Sequence, residues 1–225
     1  GREAPQGDQL MYRLHGFFTQ NTMKTVYVLE ELAVDFEFAF VNLMKLENRT
    51  DEFRAMTPAG KVPVLEHDGE FLFESGPICR YVASVEKSPL YPADKLQRAR
   101  VDQWMTFWTC HPGRWLTTLY FEKIIKNAAG MGEPDEARCA EAVKFAGQQL
   151  KIVERWLANY EWLANGALSI AEPFALAYLE QASAVGYALD DLPRVQAWFE
   201  RIETRDSTVR ARERVKPYAR AAMDT

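Results

Sequence analysis

The stretch GKVPVLEHDGEFLFESG, residues 60–76, sets two short apolar runs around Asp68-Gly69 and closes on the acid–hydroxyl pair Glu74-Ser75. An Asp-Gly pair between two strand-like runs signals a hairpin. Pro63 is the anomaly. It donates no backbone hydrogen bond, so a strand admits it only at an edge, a bulge or its first residue. Pairing is therefore interrupted at Val62-Pro63. A cis bond is expected there, since the cis penalty falls to ~0.5–1 kcal/mol before proline. The N–H and C=O of Val62 are then left for an extended peptide to pair with, as in strand addition. Ser75 opens a helix and reads as its N-cap. The free N–H groups and partial positive charge of that N-terminus favour a carboxylate, assisted by the Ser75 hydroxyl. Glu74 suits an α-amino group. Each residue alone is as well explained by a strand boundary or a helix cap; together they describe a site for a small peptide with an amino-acid-like end.

Working outward, MYRLH (11–15) and FEFAFVNL (36–43) read as strands around a helical stretch from about Thr22 to Ala33. A short helix is expected near Glu52–Ala55, and the helix after Ser75 runs to about Val85. The order βαβ-α-ββα suits a small mixed sheet with helices on its faces, an α/β domain over 11–87. KSPLYPAD (87–94) holds two prolines and supplies a linker, placed at 88–94. From 95 to 225 the strand signals vanish. An aromatic-rich helix is predicted over 95–128 and another from about Pro134 to Asn159. Ser169 and Glu172 form a capping-box pair ahead of FALAYL, and Pro193 begins a further helix. The opening GREAPQGDQL (1–10) reads as a flexible leader without a signal-peptide core.

The 225 residues are 48% hydrophobic and 26% charged, an ordinary globular balance. A net charge of −5 argues against nucleic acid as the main partner. The basic tail, Arg201 to Arg220, is interrupted by Glu203, Asp206 and Glu213 and reads as a solvated terminal helix. Three scattered cysteines and three histidines show no metal-ligand spacing, so no metal is expected, and a reducing, cytoplasmic setting fits. No apolar run reaches the ~18 residues a membrane span requires.

The stretch TPAGKVPVLEHDGEFLFESGPICRYV, with its V-P-x-L and its E-S before a helix, resembles the glutathione-binding half of the glutathione S-transferase superfamily. TQNTMKTVYVLEEL is similar to the family's first active-site helix, and ENRTDEFRAMTPAGKVP to its second-helix segment. LYPAD resembles its interdomain linker, LSIAEPFALAYL its buried capping-box helix, and VQAWFERIETR a late C-terminal helix. The resemblance implies a thioredoxin-like N-terminal domain, an all-helical C-terminal domain and a homodimer, with glutathione as cosubstrate. On that likeness the cysteinyl backbone of glutathione pairs with Val62 beside Pro63. Its γ-glutamyl end meets Glu74 and Ser75, and its glycine carboxylate meets Lys61, with Asn48 and Arg49 as further candidates.

Family members place Tyr, Ser or Cys near the start of the first helix to act on the glutathione sulfur. Here Thr19 occupies that slot, Asn21 follows two residues on, and Tyr12 lies earlier, in a strand. The T-x-N pattern resembles the bacterial nu class and its theta-like relatives, with Gln20 in place of the usual proline. A free thiol has pKa ~8.5, and a helix N-terminus with donors nearby lowers it. Thr19 offers a hydroxyl donor and Asn21 an amide donor; the alternative is that they only cap the helix. Cys79, Cys110 and Cys139 fall within helices, away from this position, so every reactive sulfur is expected to come from glutathione. The second substrate, a small hydrophobic electrophile or a disulfide, is placed against Met105, Trp108, His111, Arg114 and Trp115, with a kink expected at His111-Pro112-Gly113. Two readings follow: a glutathione-dependent transferase or cysteine-free disulfide reductase, and a non-enzymatic binding or stress protein that keeps the fold.

Overall fold

The computed structural model of the protein describes residues 12–223, so the leader expected over 1–10 lies outside the described residues. Strand β1 (Tyr12–Gly16), helix α1 (Gln20–Glu31) and strand β2 (Phe36–Phe40) make the expected βαβ unit. Its strands run parallel, from Tyr12 opposite Phe36 to Gly16 opposite Phe40. A 3-10 turn at Glu47–Arg49 and helix α2 (Asp51–Met56) follow, then β3 (Val64–His67), β4 (Glu70–Phe73) and α3 (Ser75–Val85). The sheet order is β2-β1-β3-β4, with β3 antiparallel to both of its neighbours. Asp68 and Gly69 take φ of 54° and 76°, the pair of positive values that matches a two-residue turn to the strand twist. Strand β2 stops at Phe40, short of the expected Leu43. The Val41 N–H bonds back to the Gly16 carbonyl, and the Asn42 amide oxygen then accepts from the N–H groups of Met44 and Lys45, turning the chain.

Beyond Phe73 the described residues hold no further strand. The helices are α4 (Lys95–Cys110), α5 (Pro112–Tyr120), a π-helical turn at Phe121–Ile125, α6 (Lys126–Ala128), α7 (Glu136–Trp156), α8 (Ala171–Ala184), α9 (Pro193–Glu203) and α10 (Asp206–Met223). The architecture is thus an α/β thioredoxin-like sheet domain followed by an all-helical one. The single helix expected over 95–128 breaks at His111, whose ψ of −92° ends α4, and Pro112 starts α5 with its φ already set for a helix. Gly113 lets α5 close on its neighbours. A Cβ there would stand 2.3 Å from both the Trp108 carbonyl oxygen and the Tyr178 ring.

Helix α8 is the axis of the helical half, with every residue from Ala171 to Leu179 buried. Its start is held by Glu172, which is fully buried. The Ser169 N–H and hydroxyl donate to one carboxylate oxygen at 2.8 and 2.7 Å, and the Leu163 N–H to the other at 2.7 Å. Burial pushes Glu172 up to about 7 against the pull of those donors.

Helix α1 is covered on both sides, by the sheet domain and by α8 and α10, and everything from Thr22 to Glu30 is buried. The basic tail is only partly solvated, because several of its arginines reach back to distant carboxylates. Arg210 and Arg214 pair with Glu30 at 3.0 and 2.6 Å, Arg205 with Glu31 at 2.6 Å, and Arg212 with Glu180 at 2.7 Å. Glu30 and Glu31 sit in α1, far away in sequence, where a count of local charges could not find them. Among the described residues no helix is long and apolar enough to cross a membrane, and no group of three or more His, Cys, Asp or Glu is placed to hold a metal.

Candidate functional site

Three segments meet at one end of the sheet. Asn21 from α1, Ala59 and Lys61 to Pro63 ahead of β3, and Phe73 to Ser75 between β4 and α3 line a small open cleft. Val62 lies outside the ladder, which begins at the pair His15–Val64, and the Val62–Pro63 bond is cis. The Val62 side chain is buried in a satellite core with Phe17, Val41, Phe53 and Val64. That packing anchors the residue while its backbone edge stays on the cleft. Gly60 keeps a φ of 56° and receives, at its carbonyl, a 2.8 Å hydrogen bond from the Asn48 amide.

At the other wall the helix cap differs from expectation. Glu74, not Ser75, is the N-cap residue of α3, with φ 71° and ψ 120° and no side-chain capping bond. Such a backbone is strained for a residue with a Cβ, at a cost of roughly 1–3 kcal/mol. Glu74 and Ser75, at the α3 N-terminus, line the cleft. Ser75 is buried, while the Glu74 and Lys61 side chains reach solvent. An anion entering here meets free helix N–H groups, a hydroxyl and a lysine ammonium; a cation meets the Glu74 carboxylate.

The third wall is the start of α1. Thr19 is its N-cap, its hydroxyl oxygen accepting from the Thr22 N–H at 3.4 Å. The Thr19 hydroxyl also lies 3.2 Å from the Thr22 hydroxyl; with Thr22 as the donor of that pair, the Thr19 proton is available to a ligand. Asn21 is exposed on the cleft and its amide oxygen accepts from the Lys24 ammonium at 2.8 Å. Gln20 is tied across the domain boundary, donating to Gln181 of α8 at 2.5 Å and to Thr117 of α5 at 3.2 Å. The Tyr12 hydroxyl is engaged elsewhere, donating to Glu86 at 2.6 Å.

Of the residues proposed from sequence, Asn21, Lys61, Val62, Pro63, Glu74 and Ser75 converge, with Thr19 at the adjoining cap. Asn48 and Arg49 do not line the cleft. The Asn48 amide is committed to the Gly60 carbonyl, and Arg49 is exposed in the 3-10 turn. The aromatic-helix proposals divide. Met105 and Trp108 are core residues at 1% and 0% exposure, Trp108 stacked on Trp198, and present no surface to a ligand. Helical periodicity marked the right stripe but not the element that covers it. Trp115 is half-buried against Phe145. His111 and Arg114 are exposed, and Arg114 lies on the face of α5 that also carries Thr117, three residues on. Ala59 and Phe73 were missed. Phe73 could have been found from the alternation of EFLF, which puts Phe71 and Phe73 on one outward face.

Cys79 and Cys139 are buried and Cys110 is exposed. Burial pushes the Cys79 thiol up to about 12 and raises that of Cys139. Neither is a nucleophile at neutral pH.

Residues 11–84 match the family model described as the glutathione S-transferase N-terminal domain, and residues 112–206 the C-terminal domain model. The chain is similar to glutathione S-transferase hmp2 of Hypomyces subiculosus, 28% identical over 208 residues, covering 90% of this chain and 98% of that protein. It is 33% identical over 196 residues to glutathione S-transferase F10 of Arabidopsis thaliana, covering 82% and 88%. Among solved structures, glutathione S-transferase-I bound with lactoylglutathione superposes with a TM-score of 0.83 at 28% identity, covering 91% of this chain and 99% of that one. These two relatives are fungal and plant proteins, so the T-x-N pattern does not place the chain among bacterial nu or theta-like classes; the likeness holds at the level of the superfamily.

Proposed function

The chain belongs to the glutathione S-transferase family, and on that footing we propose that it binds glutathione in the cleft between α1, the Val62 edge and α3, and transfers it to a small hydrophobic electrophile. The observation that carries this is the convergence of an unpaired Val62 edge, the bare N-terminus of α3 with Ser75, and the Thr19–Asn21 donors in one place. Val62 holds the cysteinyl backbone by strand-like pairing. Ser75 and the α3 N–H groups take the γ-glutamyl carboxylate, Glu74 its ammonium, and Lys61 the glycine carboxylate. The cysteinyl sulfur is thereby turned toward Thr19 and Asn21.

There the thiol loses its proton to solvent, and the thiolate accepts hydrogen bonds from the Thr19 hydroxyl and the Asn21 amide. It then attacks the electrophilic carbon, forming a C–S bond as the leaving group departs with its electron pair. Each pKa unit of thiol acidification corresponds to ~1.4 kcal/mol, within the ~1.5–3 kcal/mol of a hydrogen bond to a charged group. A second reading draws on the same site. No cysteine lies at the start of α1, so in disulfide exchange two glutathiones supply both electrons, leaving as the oxidised dimer while the substrate gains two thiols. The second substrate enters beside Arg114, on the face of α5 that carries Thr117 and its contact to Gln20. A homodimer is supported by the exposed β4 and α3 surface of Phe71, Phe73, Tyr81 and Val85, a patch of the kind that marks association.

Turnover with a generic aryl halide, set beside turnover with a small disulfide, separates conjugation from reduction. Absence of both with glutathione bound identifies a binding protein. Thr19→Val/Asn21→Ala should raise the pKa of the bound thiol; an unchanged thiolate absorbance would move the sulfur site elsewhere.

A further inference from the structure

Lys24 is the outlier of α1. It is 3% exposed, yet among the described residues no carboxylate forms an ion pair with it. Its ammonium instead donates to the Asn21 amide oxygen at 2.8 Å and to the Tyr178 hydroxyl at 2.6 Å, and lies 3.9 Å from the Tyr178 ring centroid and 5.1 Å from that of Phe174. Burying a charge without an ion-pair partner is costly, and burial lowers the Lys24 amine to about 7 against the pull of the Glu74 carboxylate. A leucine or methionine would fill the same space between α1 and α8 without that cost. Retention of a cation at such a place calls for a task.

The task follows from the hydrogen-bond inventory. An ammonium has donors only, whereas an asparagine amide has one acceptor end and one donor end. In its charged form Lys24 therefore requires the oxygen end of the amide, the end that the 2.8 Å bond presents. That orientation leaves the Asn21 NH2 on the other side, where Asn21 is exposed on the cleft. We propose that Lys24 is a positioning residue for the glutathione thiolate: it locks the Asn21 amide with its NH2 toward the sulfur. Tyr178, from α8, holds the ammonium from the far side and so links the helical domain to the sulfur site. The proposal rests on the reading that Asn21 faces the sulfur.

The test compares the wild-type protein with Lys24→Met, Asn21→Ala and the double variant, titrating bound glutathione by its thiolate ultraviolet absorbance. S-methylglutathione, whose sulfur carries no proton, reports tripeptide affinity separately. Lys24→Met should raise the bound thiol's pKa by about one unit, about tenfold less thiolate at neutral pH, leave S-methylglutathione affinity within twofold, and hold or raise Tm because an unpaired buried charge is removed. In the Asn21→Ala background the same change should shift the pKa markedly less, since the lysine acts through the amide. An unchanged thiol pKa in Lys24→Met overturns the proposal, as does an equal shift in both backgrounds. Should Lys24→Met not fold, Lys24→Gln, which keeps a neutral donor, carries the test: the thiol pKa must still rise. If Thr19→Val/Asn21→Ala leaves the thiol pKa unchanged, the sulfur reading itself fails, independently of Lys24.

Discussion

Replacing Ser75 with alanine separates ligand recognition from folding more cleanly than the sequence alone implied. As an N-cap, Ser75 would cost about 1 kcal/mol of helix stability on loss of its hydroxyl. The N-cap of α3 is Glu74 and no side chain caps the helix, so that penalty does not arise. Ser75 is the first helical residue, where alanine is a better helix former by a few tenths of a kcal/mol. The buried hydroxyl is then left with one purpose, donation to a carboxylate seated at the helix N-terminus. Hydrogen bonds to charged groups contribute roughly 1.5–3 kcal/mol, which corresponds to about 10- to 150-fold in affinity. Calorimetry with glutathione on wild type and Ser75→Ala should find a loss in that range, alongside a Tm unchanged or slightly higher. Equal affinities would remove the carboxylate from this helix end. A large drop in Tm would show that the hydroxyl belongs to the fold.

Glu74→Gly should relieve the strained φ of 71° at the expense of glycine's greater unfolded-state freedom, a net gain of roughly 0–2 kcal/mol seen as a higher Tm. The same change should weaken glutathione by at most about fivefold, because an exposed ion pair contributes ~0.2–1 kcal/mol. Gly113→Ala should cost at least about 1–3 kcal/mol in chemical unfolding, since its methyl would meet the Trp108 carbonyl and the Tyr178 ring at 2.3 Å; a neutral result would show that α5 shifts freely. The variant Cys79→Ala/Cys110→Ser/Cys139→Ser should keep most activity, with Cys79→Ala accounting for any packing loss. Loss of disulfide exchange in Cys110→Ser alone, with glutathione affinity retained, would bring the exposed Cys110 into the mechanism.

The parts legible from sequence were those written locally. Pro63 beside Val62 marks where a ladder must stop, Asp68-Gly69 carries the turn, and Glu74-Ser75 ends a strand against a helix; each states its geometry within a few residues. Ser169 and Glu172 are local in the same sense, although the third donor, Leu163, lies upstream. What escaped was set by partners distant in the chain. Arg205, Arg210 and Arg214 read as solvated from sequence because their partners, Glu31 and Glu30 of α1, lie far away in the chain. Met105 and Trp108 carry the spacing of a pocket wall and of a core face alike, and only the packing of the helical domain decides between the two. Lys24 is silent in sequence, because a lysine in an amphipathic helix is ordinarily at the surface. Its burial becomes visible once α8 brings Tyr178 and Phe174 over it.

The central claim is that one tripeptide lies across Val62, α3 and α1 with its sulfur at Thr19 and Asn21. A crystal structure of the protein soaked with oxidised glutathione tests it directly. The γ-glutamyl carboxylate should sit at the N-terminus of α3 on Ser75, the cysteinyl N–H and C=O should pair with the Val62 backbone, and the sulfur should lie within hydrogen-bond reach of the Thr19 hydroxyl or the Asn21 NH2. A tripeptide bound with its sulfur away from both donors, or with Val62 unpaired, would contradict it.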